Sequence, residues 1–200
     1  ILMYFGQGYF GLEGSNLHLV DSNMVTTGSF SLASTKPLTN NHITLALASN
    51  AKRFSDITPY IPYKLPQEVL DWIANSAIRS ELAAPSFVMH GPLREEESDM
   101  KRSYLVEAEM HDGELIFNTE WPQITGAHGV VKVSHASISA ELERATLAGM
   151  ALRDMTIWLP AGAARVTAEG VATFDAATGL EFVRTTPLRE SMDFVADQLS

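Results

Sequence analysis

Apolar residues recur at every second position in run after run of this chain, and that spacing limits what it can fold into. A strand turns successive side chains to opposite faces, so period two builds a sheet with one apolar face. In 43–47, Ile43, Leu45 and Leu47 oppose Thr44 and Ala46. In 104–110, Tyr104, Val106, Ala108 and Met110 oppose Leu105, Glu107 and Glu109. Leu115 and Phe117 alternate with Glu114, Ile116 and Asn118, and in 137–143 Ile138, Ala140 and Leu142 oppose Ser137, Ser139, Glu141 and Glu143. The longest run, 165–174, sets Val166, Ala168, Ala172 and Phe174 against Arg165, Thr167, Glu169 and Thr173. Shorter alternations are Leu17/Leu19, Phe30/Leu32, Phe87/Met89, Val131/Val133 and Met155/Ile157/Leu159.

Turn residues punctuate these runs. Asp112-Gly113 between two alternating runs predicts a type I′ hairpin, and Gly126, Gly149, Gly162 and Thr178-Gly179 predict further turns. Strands joined by short turns make an antiparallel meander rather than βαβ units. Two helices interrupt the pattern. In 65–79, Leu65, Val69, Ile73 and Ala77 recur at helical spacing behind Pro66 in the first turn. In 187–199, Leu188, Met192, Val195 and Leu199 do the same. The fold class expected is mostly β: a long antiparallel sheet with these two amphipathic helices. Each helix follows a strand and a Pro-containing turn, which divides the chain into the end of a preceding β-unit (1–58), a helix-plus-sheet unit (59–184) and the start of the next (185–200).

Bulk properties narrow the function. A 46% hydrophobic share with 19% charged residues argues against disorder. Net charge is −10 and the 14 basic residues are scattered, which disfavours nucleic acid and anionic membrane surfaces as electrostatic partners. With no cysteine, disulfides, thiolate zinc sites and cysteine nucleophiles are excluded. No stretch approaches the ~18–20 apolar residues of a membrane span. The opening Ile1-Leu2-Met3-Tyr4-Phe5 reads as the inside of a strand, so any anchoring segment is expected upstream.

The chemical motifs favour structural readings. Gly6-Gln7-Gly8-Tyr9-Phe10-Gly11 matches G-x-G-x-x-G, but a strand-like stretch follows it and Asp21 comes too early for a ribose-binding acid, so glycine at a strand bend is the better account. His18, His42, His90, His111, His128 and His135 form no i, i+4 pair and no H-E-x-x-H box, and no metal is expected. Glu107 and Glu109 share a strand face roughly 6–7 Å apart, a spacing open to a glycosidase pair but commoner on a solvated face. Glu95-Glu96-Glu97-Ser98-Asp99 reads as an exposed loop. Trp72 and Trp121 read as anchors, whereas Trp158 points opposite Ile157 and Leu159. No catalytic residue and no cofactor is expected, and the chain does not read as an enzyme.

Laid end to end, the motifs resemble the YhdP branch of the AsmA-like superfamily, large proteobacterial envelope proteins. The resemblance rests on Tyr60-Ile61-Pro62, a helix holding Val69-Leu70-Asp71-Trp72-Ile73, His90-Gly91-Pro92-Leu93-Arg94, Asp112-Gly113-Glu114-Leu115, Trp121-Pro122 and Thr186-Pro187-Leu188-Arg189. It is clearest over 42–135, and the order of the motifs carries more than any one of them. The chain departs from the family with Ile61-Pro62 in place of Leu-Pro, and with an acidic run where aromatic residues often follow the Gly-Pro-Leu turn.

The resemblance implies a periplasmic protein anchored by one inner-membrane helix, with a curved, groove-shaped sheet. Its apolar face would shield phospholipid or other acyl lipid between the inner and outer membranes. The candidate lining is Ile43, Leu45, Leu47, Tyr104, Val106, Met110, Leu115, Phe117, Val131, Val133, Ile138, Leu142, Met155, Ile157, Val166 and Phe174. An acyl chain asks only for continuous apolar surface, at ~0.8 kcal/mol per buried methylene. A closed β core shows the same alternation, so a structural or interaction module of the envelope stands as the alternative.

Overall fold

The computed structural model describes residues 1–21, 24–35, 40–53, 56, 80–92, 102–116, 120–161 and 166–189. Ten strands follow one another: β1 (Leu2–Gly6), β2 (Tyr9–Asp21), β3 (Met24–Thr35), β4 (Asn40–Ser49), β5 (Glu81–Pro92), β6 (Ser103–Leu115), β7 (Ile124–Ser134), β8 (Ser137–Leu147), β9 (Met150–Pro160) and β10 (Thr167–Thr173). Each pairs antiparallel with its sequence neighbours in one sheet of order β1 to β10. The sheet is open and curved, since β1 and β10 are its two edges and do not meet. At ~4.8 Å per strand it spans roughly 43 Å across the strands. The mostly β, antiparallel meander expected from the alternation is what forms.

Two-residue turns close several hairpins. Gly6 pairs with Tyr9 around Gln7-Gly8, so the G-x-G-x-x-G match is a hairpin and the strand after it. Leu147 pairs with Met150 around Ala148-Gly149, both in the left-handed region (φ 48 and 82) that a type I′ turn requires. A methyl group at Gly149 would meet only Thr178 Cγ2, at 3.6 Å. Gly149→Ala therefore meets little steric opposition and strains φ alone. It should cost about 1 kcal/mol and lower Tm by roughly 2–4 °C in a thermal melt.

The sequence reading is corrected at two glycine signals. Asp112-Gly113 is no hairpin: both residues lie inside β6, which runs unbroken to Leu115. Asp112 takes φ 52 and the β6–β7 register shifts beside it, which makes a β-bulge. Gly126 (φ 59) likewise sits inside β7 at a register shift. A residue that tolerates positive φ serves a turn or a bulge equally well.

These bulges keep the apolar residues on one face. A bulge adds one residue to a strand, so period two alone would turn the far half of the strand inside out. Instead the buried positions step by three across each break: Leu82 to Pro85, Met110 to Gly113, Ile124 to Ala127 and Leu142 to Ala145. Left-handed residues also stand at Asn16 in β2, Ala84 in β5 and Asp154 in β9. The breaks form an oblique crease. Leu115, Ile124, Ala127, Ala145 and Leu152 on one side of it share a single buried cluster with Met110, Val131, Ala140, Leu142 and Ile157 on the other. Bulged strands bend, and the sheet they belong to is curved.

The C-terminal end brings a helix that the alternation concealed. Ala176–Thr185 forms α1, so Thr178-Gly179 is helical and not a turn. Asp175 starts it as an N-cap, its Oδ1 accepting from the Thr178 N–H at 2.8 Å. Phe182 sets its ring 6.1 Å from that of Trp121, tying α1 to the segment before β7. Of the predicted 187–199 helix, Leu188 and Arg189 are helical and the remainder lies outside the described residues, as do the 65–79 helix, the acidic run, Trp72 and Gly162. No helix among the described residues is long and apolar enough to cross a membrane.

Hydrogen bonds to Thr178 hold the Asp175 carboxyl below the usual aspartate range. Because the folded-state value is the lower one, the stabilisation is complete above the unfolded aspartate value near 3.9. It is lost as pH falls from there through the folded-state value. Acid titration followed by NMR should show the Thr178 amide signal moving in that window. Asp175→Asn, which caps as well without titrating, should abolish the movement; a variant that kept it would assign the effect to another group.

Candidate functional site

Strand register alone places a continuous apolar row across the sheet. Met3 faces Leu12, Leu12 faces Leu32 and Leu32 faces Ile43. Leu45 then faces Met89, Met89 faces Tyr104, Val106 faces Val133 and Val133 faces Ile138. Ile138 faces Leu159, and Ile157 faces Ala168 on the last strand. Residues at paired positions share a face, so the row runs from one edge to the other.

Of the candidate residues, Ile43, Leu45, Leu47, Tyr104, Val106, Met110, Leu115, Val131, Val133, Ile138, Leu142, Met155 and Ile157 lie on this face. Phe117 lies outside the described residues. Two others stand apart from the row. Val166 precedes β10 and is exposed, and Phe174 follows it, 52% exposed, its ring beside Gly179 at the start of α1. The predicted run 165–174 overreaches the strand at its C-terminal end because Asp175 caps a helix and pulls Phe174 out of the alternation.

The row also takes in residues absent from that set. Phe5, Phe10, Leu12, Phe30, Phe87 and Met89 belong to it by register. Their period-two spacing was visible, but its connection to the row was not, since pairing between strands decides it.

Exposure varies along the face. Over β6–β9, Met110, Val133, Leu142 and Ile157 are buried, Met110 completely, whereas Tyr104, Val106, Met155 and Leu159 are half-buried. Over β2–β5, Leu12, Phe30, Leu32, Ile43, Leu45, Leu47, Phe87 and Met89 are half-buried, while Met24, Thr26 and Leu82 on the same face are buried. On the edge strand Met3 is 55% and Phe5 74% exposed. Among the described residues β1, β3 and β4 hold no left-handed residue, and the ladders β1–β2, β3–β4 and β4–β5 run without a register shift.

The ion pairs occupy the opposite face. Lys132 lies 3.2 Å from Glu141 and 4.0 Å from Glu107, and Glu109 lies 3.8 Å from His111. Arg144 Nη2 donates to His128 Nε2 at 2.9 Å, and the rings of His111 and His128 stand 5.8 Å apart. Thr44 Oγ1 and His90 Nδ1 share a hydrogen bond of 2.8 Å. Trp158 is on this side too, 48% exposed. Among the described residues no three His, Cys, Asp or Glu side chains gather as metal ligands would. Tyr104, on the apolar face, keeps a buried hydroxyl without a hydrogen-bond partner, and burial pushes its phenol above the usual range.

A family model described as YhdP protein matches residues 6–199. The chain belongs to the YhdP family. The match runs through nearly the whole sheet and α1, well beyond the stretch 42–135 where the motif resemblance is clearest. No curated protein and no solved structure matches the chain. YhdP membership, together with an open sheet apolar on one side, is consistent with a segment of a bridge-like envelope protein.

Proposed function

We propose that this chain is a non-enzymatic segment of a periplasmic bridge in which the apolar face of the sheet shields or conducts phospholipid acyl chains between the inner and outer membranes. The parent protein would be anchored in the inner membrane. The observation that carries this reading is the unbroken apolar row across ten strands of a sheet that does not close. An ordinary two-layer core buries such a face throughout. Here Met3 and Phe5 are exposed and Leu12, Phe30, Leu32 and Leu45 are only half-buried, an arrangement costly in water at roughly 25 cal/mol per Å² unless something apolar occupies it.

Transport asks for contacts that release as easily as they form. A row of aliphatic and aromatic side chains meets that need, because it grips through area and not through directed hydrogen bonds. The ion pairs of Glu107 and Glu109 lie on the face away from this row and take no part in it. The buried cluster over β6–β9 favours the second reading for those strands alone: a structural module with a closed β core.

The test is capture of labelled lipid. Protein incubated with vesicles of radiolabelled phosphatidylethanolamine, then separated from them by flotation, should retain label near one lipid per chain. Protein left below the floated vesicles without label would leave the structural module as the better account.

A further inference from the structure

We infer that Trp158, on the side of the sheet away from the apolar row, is the platform of a binding site for an uncharged sugar chain. Ile157 and Leu159 flank it and face the apolar side, paired with Ala140 and Ile138. Strand alternation therefore commits the indole to the opposite side, where it stays 48% exposed. Register gives its surroundings. Ser139 stands opposite it on β8, and Thr167 opposite it on β10. Thr156, two residues back along β9, lies between Glu141 and Glu169. Lys132, opposite Ser139 on β7, is held 3.2 Å from Glu141.

These neighbours select the ligand. A protein contact centres on several apolar side chains that together exclude water. Among the described residues, Pro160 is the only apolar side chain at a position adjoining Trp158 on this side. An acyl chain needs continuous apolar surface and would find one ring. Nucleic acids and other polyanions are repelled, since the chain carries a net charge of −10 and Glu141 and Glu169 flank the indole. A pyranose meets each condition. Its C–H face lies against an indole, which offers a flat apolar surface. Its rim of hydroxyls needs donors and acceptors of both kinds, which Ser139, Thr156, Thr167, Glu141 and Lys132 supply around the ring. The ion pair between Lys132 and Glu141 holds two of those groups in place before a ligand arrives.

The test titrates the intact protein with cellotetraose and with the tetramer of N-acetylglucosamine while NMR follows the tryptophan indole N–H signals. The Trp158 signal is the one that Trp158→Phe lacks. Either sugar, at up to about 10 mM, should move that signal saturably. The amide signals of Thr156 and Thr167 should move with it. Trp158→Ala, followed by those two amides, should bind at least tenfold more weakly and melt within a few degrees of the unsubstituted protein, because the position is exposed. Thr167→Val, which keeps the shape and removes one hydroxyl, should weaken binding severalfold. No movement with either sugar, or unchanged affinity in Trp158→Ala, overturns the inference. A Trp158 signal that shifts with protein concentration alone assigns the indole to a contact between copies and overturns it as well.

Discussion

Gly129→Val should unfold roughly 6–12 °C below the unsubstituted protein. Gly129 sits in β7 between Met110 of β6 and Leu142 of β8, at the centre of the buried cluster. A Cβ there would strike the Glu141 carbonyl oxygen and come within 2.7 Å of Leu142 Cα. Both are backbone atoms, so no side chain can swing aside and β7 and β8 must part. Overpacking of this kind costs about 3 kcal/mol, and a chain of this size loses about 2–4 °C per kcal/mol. Gly149→Ala, strained in φ but not obstructed, should lose far less. Equal losses at the two glycines would show that the cluster is not where the sheet is held together.

Leu45→Asp should cut phospholipid retention at least tenfold while leaving the melting temperature within a few degrees. Leu45 is half-buried in the middle of the straight strands, between Phe30 of β3 and Met89 of β5. Water reaches a carboxylate there in the free protein, so folding is little disturbed. An acyl chain crossing it would strip that water without offering a partner, at a cost of several kcal/mol. Tenfold in affinity is only about 1.4 kcal/mol, so tenfold is the least to expect. Leu142→Asp makes the same chemical change at a buried position. It should destabilise the fold by several kcal/mol instead. The paired variants separate lining from core.

Much of this fold could be read before any coordinates. The alternation in 104–110 and 137–143 assigns Val106, Ala108, Ile138 and Leu142 to one face, and the structure puts them there. Three things escaped, each for a physical reason. The crease was read as turns at Asp112-Gly113 and Gly126, because a left-handed residue marks a chain reversal and a bulge with the same chemistry. The helix α1 was hidden because Phe174 extends the alternation past the point where Asp175 caps. The burial of each residue was invisible because Ile43 and Ile138 are the same residue, yet one is half-buried and the other buried, a difference that tertiary packing decides.

That the apolar face carries lipid is tested most directly by native mass spectrometry of the gently purified protein. Protein isolated from a bacterial envelope should show, beside its own mass, a peak heavier by one phospholipid. That peak should fall at least tenfold in Leu45→Asp. A spectrum with no lipid-bound peak, or one equally strong in the variant, would contradict the account.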